Sequence, residues 1–127
     1  MMRIISKSFL CLALALYLAG CATTEITNLT PSTYPRNPNG QYMIEMELDT
    51  KQQTMLPDTI KPQVVIGVDS SPMQRTKKTL NRWEALVPIP ASKESVQYHF
   101  KANYEYQGFG RTHPDSVNSR PYLLFVK

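Results

Sequence analysis

Cys21 follows Leu18, Ala19 and Gly20, and its thiol is the one nucleophile of this kind outside the apolar run that holds Cys11. The two histidines, His99 and His113, are the only side chains whose ordinary pKa suits general acid–base work near neutrality. His113 stands in Thr112-His113-Pro114-Asp115, where Asp115 is expected to orient the ring. His99 lies between Gln97 and Lys101 and reads as a solvated face residue. No serine sits in a nucleophile-elbow setting, so neither a Ser-His-Asp nor a Cys-His mechanism has its parts, and the protein is read as non-enzymatic.

Metal chemistry has little more to draw on. Glu45, Glu47 and Asp49 recur every second residue, and carboxylates suit calcium, but calcium sites converge on a loop with a tight glycine turn. A flat acidic stripe is the wet face of a strand. Asp49, Asp58 and Asp69 fall near strand ends and could gather at one pole. The two histidines lack a third ligand, so zinc is not expected either. No metal or cofactor is expected.

The remaining chemistry is aromatic. Tyr104, Tyr106 and Phe109 run into the stretch Gly108–Arg120, beside Arg111 and His113. Exposed rings beside hydrogen-bonding groups hold sugars or peptides, because a flat ring packs on C–H faces while polar groups read hydroxyls. Tyr106, Phe109, Arg111 and His113 are therefore the candidate ligand contacts. Core filling competes with that role for Tyr104 and Tyr106. For Phe109, flanked by two glycines, contact and filler are equally served.

The elements that must position these residues show period-two alternation. Tyr42, Ile44, Met46 and Leu48 alternate with Met43, Glu45, Glu47 and Asp49, which predicts a half-buried strand. Val64, Ile66 and Val68 repeat the pattern. The longest case sets Val96, Tyr98, Phe100, Ala102, Tyr104 and Tyr106 against Gln97, His99, Lys101, Asn103 and Glu105. A strand separates those sets cleanly, whereas a helix would scatter them over all faces. Tyr122–Val126 is apolar throughout and reads as a strand covered on both sides. Turns are expected at Pro35–Gly40, Asp69–Pro72, Ala91–Glu94 and Gly108–Arg120.

Trp83, Ala85, Val87 and Ile89 look inward, with Trp83 a core aromatic set opposite Tyr98 and Phe100. Pro88 and Pro90 interrupt the same strand. Residues two apart direct their N–H groups to the same side, so the two prolines remove donors from one edge only. The final half of Trp83–Pro90 is thus placed at an unpaired sheet edge. Six to eight strands in about 100 residues predict an all-β fold, an immunoglobulin-like antiparallel β-sandwich of the immunoglobulin or fibronectin III kind.

Ahead of Cys21, Arg3 and Lys7 supply positive charge and Phe9–Ala19 an apolar run of eleven residues, against the ~20 a membrane-crossing helix needs. That is the pattern of an export signal. With Leu18-Ala19-Gly20-Cys21 it resembles the signal and lipobox of bacterial lipoproteins. The resemblance covers the first 21 residues. It implies that Leu18, Ala19 and Gly20 are read by a signal peptidase, that cleavage falls before Cys21, and that Cys21 carries the lipid.

Residues 1–20 would then be a signal helix, 21–24 the lipidated cysteine and a short tether, and 25–127 the sandwich. In Gram-negative lipoproteins an aspartate after the cysteine favours inner-membrane retention. Ala22 stands there, which implies a lipid-anchored place in the cell envelope at the outer membrane. Cys11 would be discarded with the signal and Cys21 acylated, so no intramolecular disulfide is expected.

Arg3 and Lys7 are two of the 14 basic residues and none of the ten acids precedes Cys21, so the remaining 107 residues carry +2. The charge is scattered, without the concentrated basic face of a nucleic-acid binder. Lys77-Lys78, with Arg75 and Arg82 nearby, reads as a solvated loop, a phosphate or lipid-headgroup contact being the alternative. Trp83, Val87-Pro88-Ile89-Pro90 and Tyr98-His99-Phe100-Lys101 resemble the succession of motifs in glycogen- and starch-binding sandwich modules, over about a fifth of the exported chain. The expected partners are the membrane, through lipid on Cys21, and an envelope protein, with an envelope glycan as the alternative.

Overall fold

The computed structural model describes residues 24–127; Cys21, with Leu18, Ala19, Gly20 and the expected signal helix, lies outside the described residues. The described chain forms ten strands: β1 (Thr24–Asn28), β2 (Thr33–Tyr34), β3 (Gln41–Thr50), β4 (Lys61–Ile66), β5 (Asp69–Pro72), β6 (Gln74–Arg75), β7 (Arg82–Pro88), β8 (Ser95–Gly108), β9 (Arg111–Asn118) and β10 (Tyr122–Val126). A 3-10 turn at Pro57–Thr59 interrupts the β3–β4 connection.

One sheet has the order β1-β3-β7-β6, the other β2-β10-β8-β4-β5, with β9 also on β8. All pairings are antiparallel except β2 with β10. Between β1 and β2 the leading segment switches sheets, pairing β3 first and then β10. The first order is that of the four-stranded sheet of immunoglobulin domains, and β4, β8 and β9–β10 supply its three-stranded partner. The domain is an immunoglobulin-like β-sandwich.

Its core lies between the sheets. Tyr42, Ile44, Met46 and Leu48 of β3, Trp83, Ala85 and Val87 of β7, and Tyr98, Phe100 and Ala102 of β8 are all buried, as their alternation predicts. Ile44, Met46, Phe100 and Leu124 are 0 % exposed, so among the described residues side-chain packing joins the sheets where many domains of this architecture use a disulfide. The Tyr98 ring meets Phe100 edge-on at 5.6 Å, and its hydroxyl accepts a hydrogen bond from Asn28 Nδ2 at 2.9 Å. A large ring is thereby buried without orphaning its polar tip. Among the described residues the core is made by residues after Thr24, and the described strands close on one another around it.

Four expectations need correction. Gly108–Arg120 is not a turn: Arg111–Asn118 pairs with Lys101–Gly108 as the second arm of a hairpin. Its burial shows no alternation because much of the arm extends beyond the sandwich, which hides it from pattern reading. Asp69–Pro72 is the edge strand β5; the turn before it is Gly67-Val68, and Val68, expected inside, is fully exposed there. Tyr122–Val126 is covered on one face only, since Leu124 and Val126 are buried while Leu123 and Phe125 are exposed. Asp49, Asp58 and Asp69 do not gather: Asp58 lines a cleft at one end of the sandwich, Asp69 a groove at the other.

The edge expectation holds in its stated half. β6 covers β7 only at Trp83 and Glu84, leaving Ala85–Pro88 open on that side. Ile89 N–H donates across to Gly40 O at 2.9 Å, so the flanking Pro88 and Pro90 nitrogens face the open edge, where a donor would invite another strand.

Candidate functional site

Three connections converge on the pole where β1 begins. β3 leaves there towards Lys61, β6 turns into β7 through Thr76–Asn81, and β8 turns into β9 through Phe109-Gly110. Thr24, at the start of β1, pairs with Thr50 at the end of β3 and lies beside Tyr104 of β8.

The β8–β9 hairpin dominates this pole. β4 last pairs with β8 at Asn103, but β8 runs on to Gly108, steadied by Met55 opposite Tyr106 and by Gln107 N–H to Thr54 O at 2.8 Å. Gly108 pairs with Arg111, so the turn consists of Phe109 and Gly110. Their φ angles are +51° and +78°, the signs of a type I′ turn, whose twist suits a hairpin. Asn or Gly normally takes the first of these places. In the left-handed region a side chain with a Cβ costs roughly 1–2 kcal/mol. Phe109 bears that strain and is also fully exposed, at 104 % of its reference area. It serves neither the core nor the turn.

Of the other expected contact residues, Tyr106 and His113 stack at 5.2 Å with an interplanar angle of 21°. His113 Nε2 lies 3.0 Å from Gly108 O, closing the turn. Arg111 is exposed beside them. The four residues are therefore brought together, but as a rigid hairpin end with His113 on one Tyr106 face. Asp115 does not orient His113. It faces the other way along the ladder, accepting from Tyr104 Oη at 3.3 Å and from the Ser116 N–H at 2.8 Å. Burial first, and then the Asp115 charge, raise the Tyr104 pKa above 10.0. Among the described residues no three His, Cys, Asp or Glu side chains cluster as metal ligands would.

At the same pole, on the other sheet, the Thr76–Asn81 loop adds Lys77, Lys78 and Leu80, all exposed, Leu80 at 82 %. Leu80 rims a cleft of about 340 Å³ that also borders Met55, Ile60, Arg75 and Trp83. The Arg75 guanidinium sits 4.6 Å over the Trp83 ring, and Trp83 is 7 % exposed, so this ring is core and offers no sugar platform. Arg75 Nε, Thr76 Oγ1, Arg82 Nε and Trp83 Nε1 are buried without a partner, all at this end of β6 and β7. Leu80 escaped the sequence reading. Its signal was a single large apolar residue in an otherwise polar, doubly basic loop.

No protein-family model matches the chain, and no curated protein matches it. Among solved structures, murine CRIg is similar with a TM-score of 0.43 and 13% identity, over 81% of this chain and 98% of that one. The fold assignment above stands on strand order and register alone.

The opposite pole differs in kind. Gly40, Ile66, Val87, Ile89, Pro90 and Val96 line an apolar groove of about 660 Å³ where β7 has lost its lateral neighbour. Around it the backbone is tied: Arg36 N–H donates to Lys127 O at 2.8 Å, Lys127 N–H to Tyr34 O at 3.1 Å, and Asn37 Oδ1 accepts from Gly40 N–H at 2.7 Å. Arg36 Nη2 adds bonds to the Lys93 and Val126 carbonyls.

Proposed function

We propose that this chain is a non-enzymatic lipoprotein of the cell envelope, anchored by lipid on Cys21, whose immunoglobulin-like sandwich is a structural or protein-interaction module held close to the membrane. The observation that carries this reading is the position of Thr24. It is already paired in β1, and it stands three residues after the cysteine of the lipobox. Three extended residues span only about 10 Å, so the fold begins at the lipid headgroups with no linker to carry it outward. Ala22 after the cysteine favours the outer membrane. Two or more acyl chains at about 0.8 kcal/mol per buried methylene give a stable attachment.

The module reading is supported by the surface. The pole away from Thr24 presents the apolar groove beside the unpaired half of β7, a surface of the sort an envelope protein partner could cover. A glycan partner finds less: Trp83 is core, and His113 covers one face of Tyr106.

Growth with radiolabelled palmitate tests the anchor. The wild-type protein is expected to carry label in the membrane fraction, and Cys21→Ser to carry none. A wild-type protein without label, or a Cys21→Ser protein that keeps it, contradicts the proposal.

A further inference from the structure

Phe109 poses a question that the anchor alone leaves open: why a large apolar side chain occupies a strained turn position with nothing to pack against. Its surroundings answer in chemical terms. Leu80 is the second exposed apolar side chain of the same pole. Its connections carry Lys51, Lys77 and Lys78 against Asp58, and Arg111 follows the hairpin turn at the start of β9. The acids Glu47 and Asp49 at the end of β3 are held by Asn81 Nδ2, at 2.9 and 3.1 Å, behind the loop that bears Lys77 and Lys78. Apolar tips among cations form the combination that binds an anionic bilayer surface, the tips entering between headgroups and the cations meeting phosphates.

Distance favours that occupant. Thr24 lies beside Tyr104, and Phe109 stands five residues further along the hairpin. At ~3.3 Å per strand residue the tip reaches about 16 Å beyond Thr24. From Thr24 back to Cys21 the extended chain measures about 10 Å. The hairpin outreaches the tether. With Cys21 lipidated, a sandwich standing with this pole towards the bilayer brings Phe109 to the headgroup layer.

We propose that the pole carrying Phe109, Leu80, Lys77 and Lys78 is a docking face for an anionic phospholipid surface. The orientation rests on the lipoprotein reading, but binding by the pole needs no lipid on Cys21. The two are therefore tested apart.

The test uses residues 22–127, which hold the core formed by the described residues and lack both the expected signal and the anchor, with vesicles of phosphatidylglycerol and phosphatidylethanolamine. Flotation is expected to recover the domain with these vesicles at low salt, much less at 0.5 M salt, and not with vesicles of phosphatidylcholine alone. Phe109→Asn is the decisive variant because a structural and a docking role predict different results. Asn suits the positive φ, so the melting temperature is expected to hold or rise while vesicle binding falls about tenfold. Lys77→Glu with Lys78→Glu is expected to lower binding at least as far without changing the fold, read by circular dichroism. Absence of wild-type binding at low salt overturns the proposal and leaves Phe109 to a protein partner. Binding that both variants retain overturns it equally, since another face would then be responsible.

Discussion

The sandwich carries two tight hairpin turns at opposite poles, Gly67-Val68 between β4 and β5 and Phe109-Gly110 between β8 and β9. Each shows an apolar side chain fully to solvent. In the first, glycine occupies the place that needs positive φ (+60°), and Val68 sits beside it outside that region. In the second, the phenylalanine itself occupies such a place. Backbone chemistry explains the first turn completely and leaves the second with an unrelieved strain.

Their surroundings differ in the same sense. The pole near Gly67 is tied by backbone hydrogen bonds and kept from adding strands by two prolines. The pole near Phe109 gathers three connections, the exposed cations Lys51, Lys77, Lys78 and Arg111 with the acids Asp49 and Asp58 among them, and the start of β1. A strained, exposed side chain is a reason to look for a function, and here the neighbours give one its chemistry.

The largest expected effect erases the difference. Phe100 lies at the centre of the core at 0 % exposure, and Phe100→Ala is expected to cost about 3–5 kcal/mol, read by denaturant unfolding. Both poles should lose order together. Survival of one alone would mean that the sandwich is not a single cooperative unit.

Next in size is the charge reversal at Lys77 and Lys78. Each lysine near an anionic surface is worth about 1 kcal/mol, so vesicle affinity should drop by tenfold or more while unfolding stays within about 0.5 kcal/mol of wild type. Phe109→Asn follows, with a gain of about 1 kcal/mol in stability against the loss of binding. Val68→Asn, the matching change at the other turn, should leave vesicle binding unaltered.

The smallest effects compare two tyrosines, one towards each pole. Tyr34 Oη donates to Met43 O at 2.6 Å, and burial, then the Glu45 charge, raise its pKa above 10.0. Tyr104 is raised for the same first cause. Each phenol holds its proton more tightly folded than unfolded. Their contribution is therefore complete below about pH 10 and is lost as pH rises through the folded-state values. Tyr34→Phe should remove about 1 kcal/mol and make the alkaline loss of stability shallower. Tyr104→Phe, giving up a long 3.3 Å bond to exposed Asp115, should remove less at neutral pH.

What could be read from the sequence follows from where each strand lies. β3, β7 and β8 face the core along one side, so alternation revealed them and even the open edge of β7. β5 and the outer arm of the β8–β9 hairpin touch the core little, and their polar residues looked like turns. Tyr122–Val126 looked doubly covered because two apolar residues, Leu123 and Phe125, sit on its wet face. At the candidate site Tyr106, Phe109, Arg111 and His113 stand close along the chain, and the hairpin keeps them at one end. Their geometry was not legible: the Tyr106–His113 stack follows from a cross-strand register that no local pattern specifies. Nor was the position of Leu80, since its loop meets the hairpin only through the sandwich topology.

The central claim is that the domain begins immediately after a lipid-bearing cysteine. Mass spectrometry of the N-terminal peptide from membrane-extracted protein tests it most directly. The account predicts a peptide beginning at Cys21 and heavier by a diacylglyceryl group and further acylation. A peptide retaining residues before Cys21, or an unmodified Cys21, would contradict it.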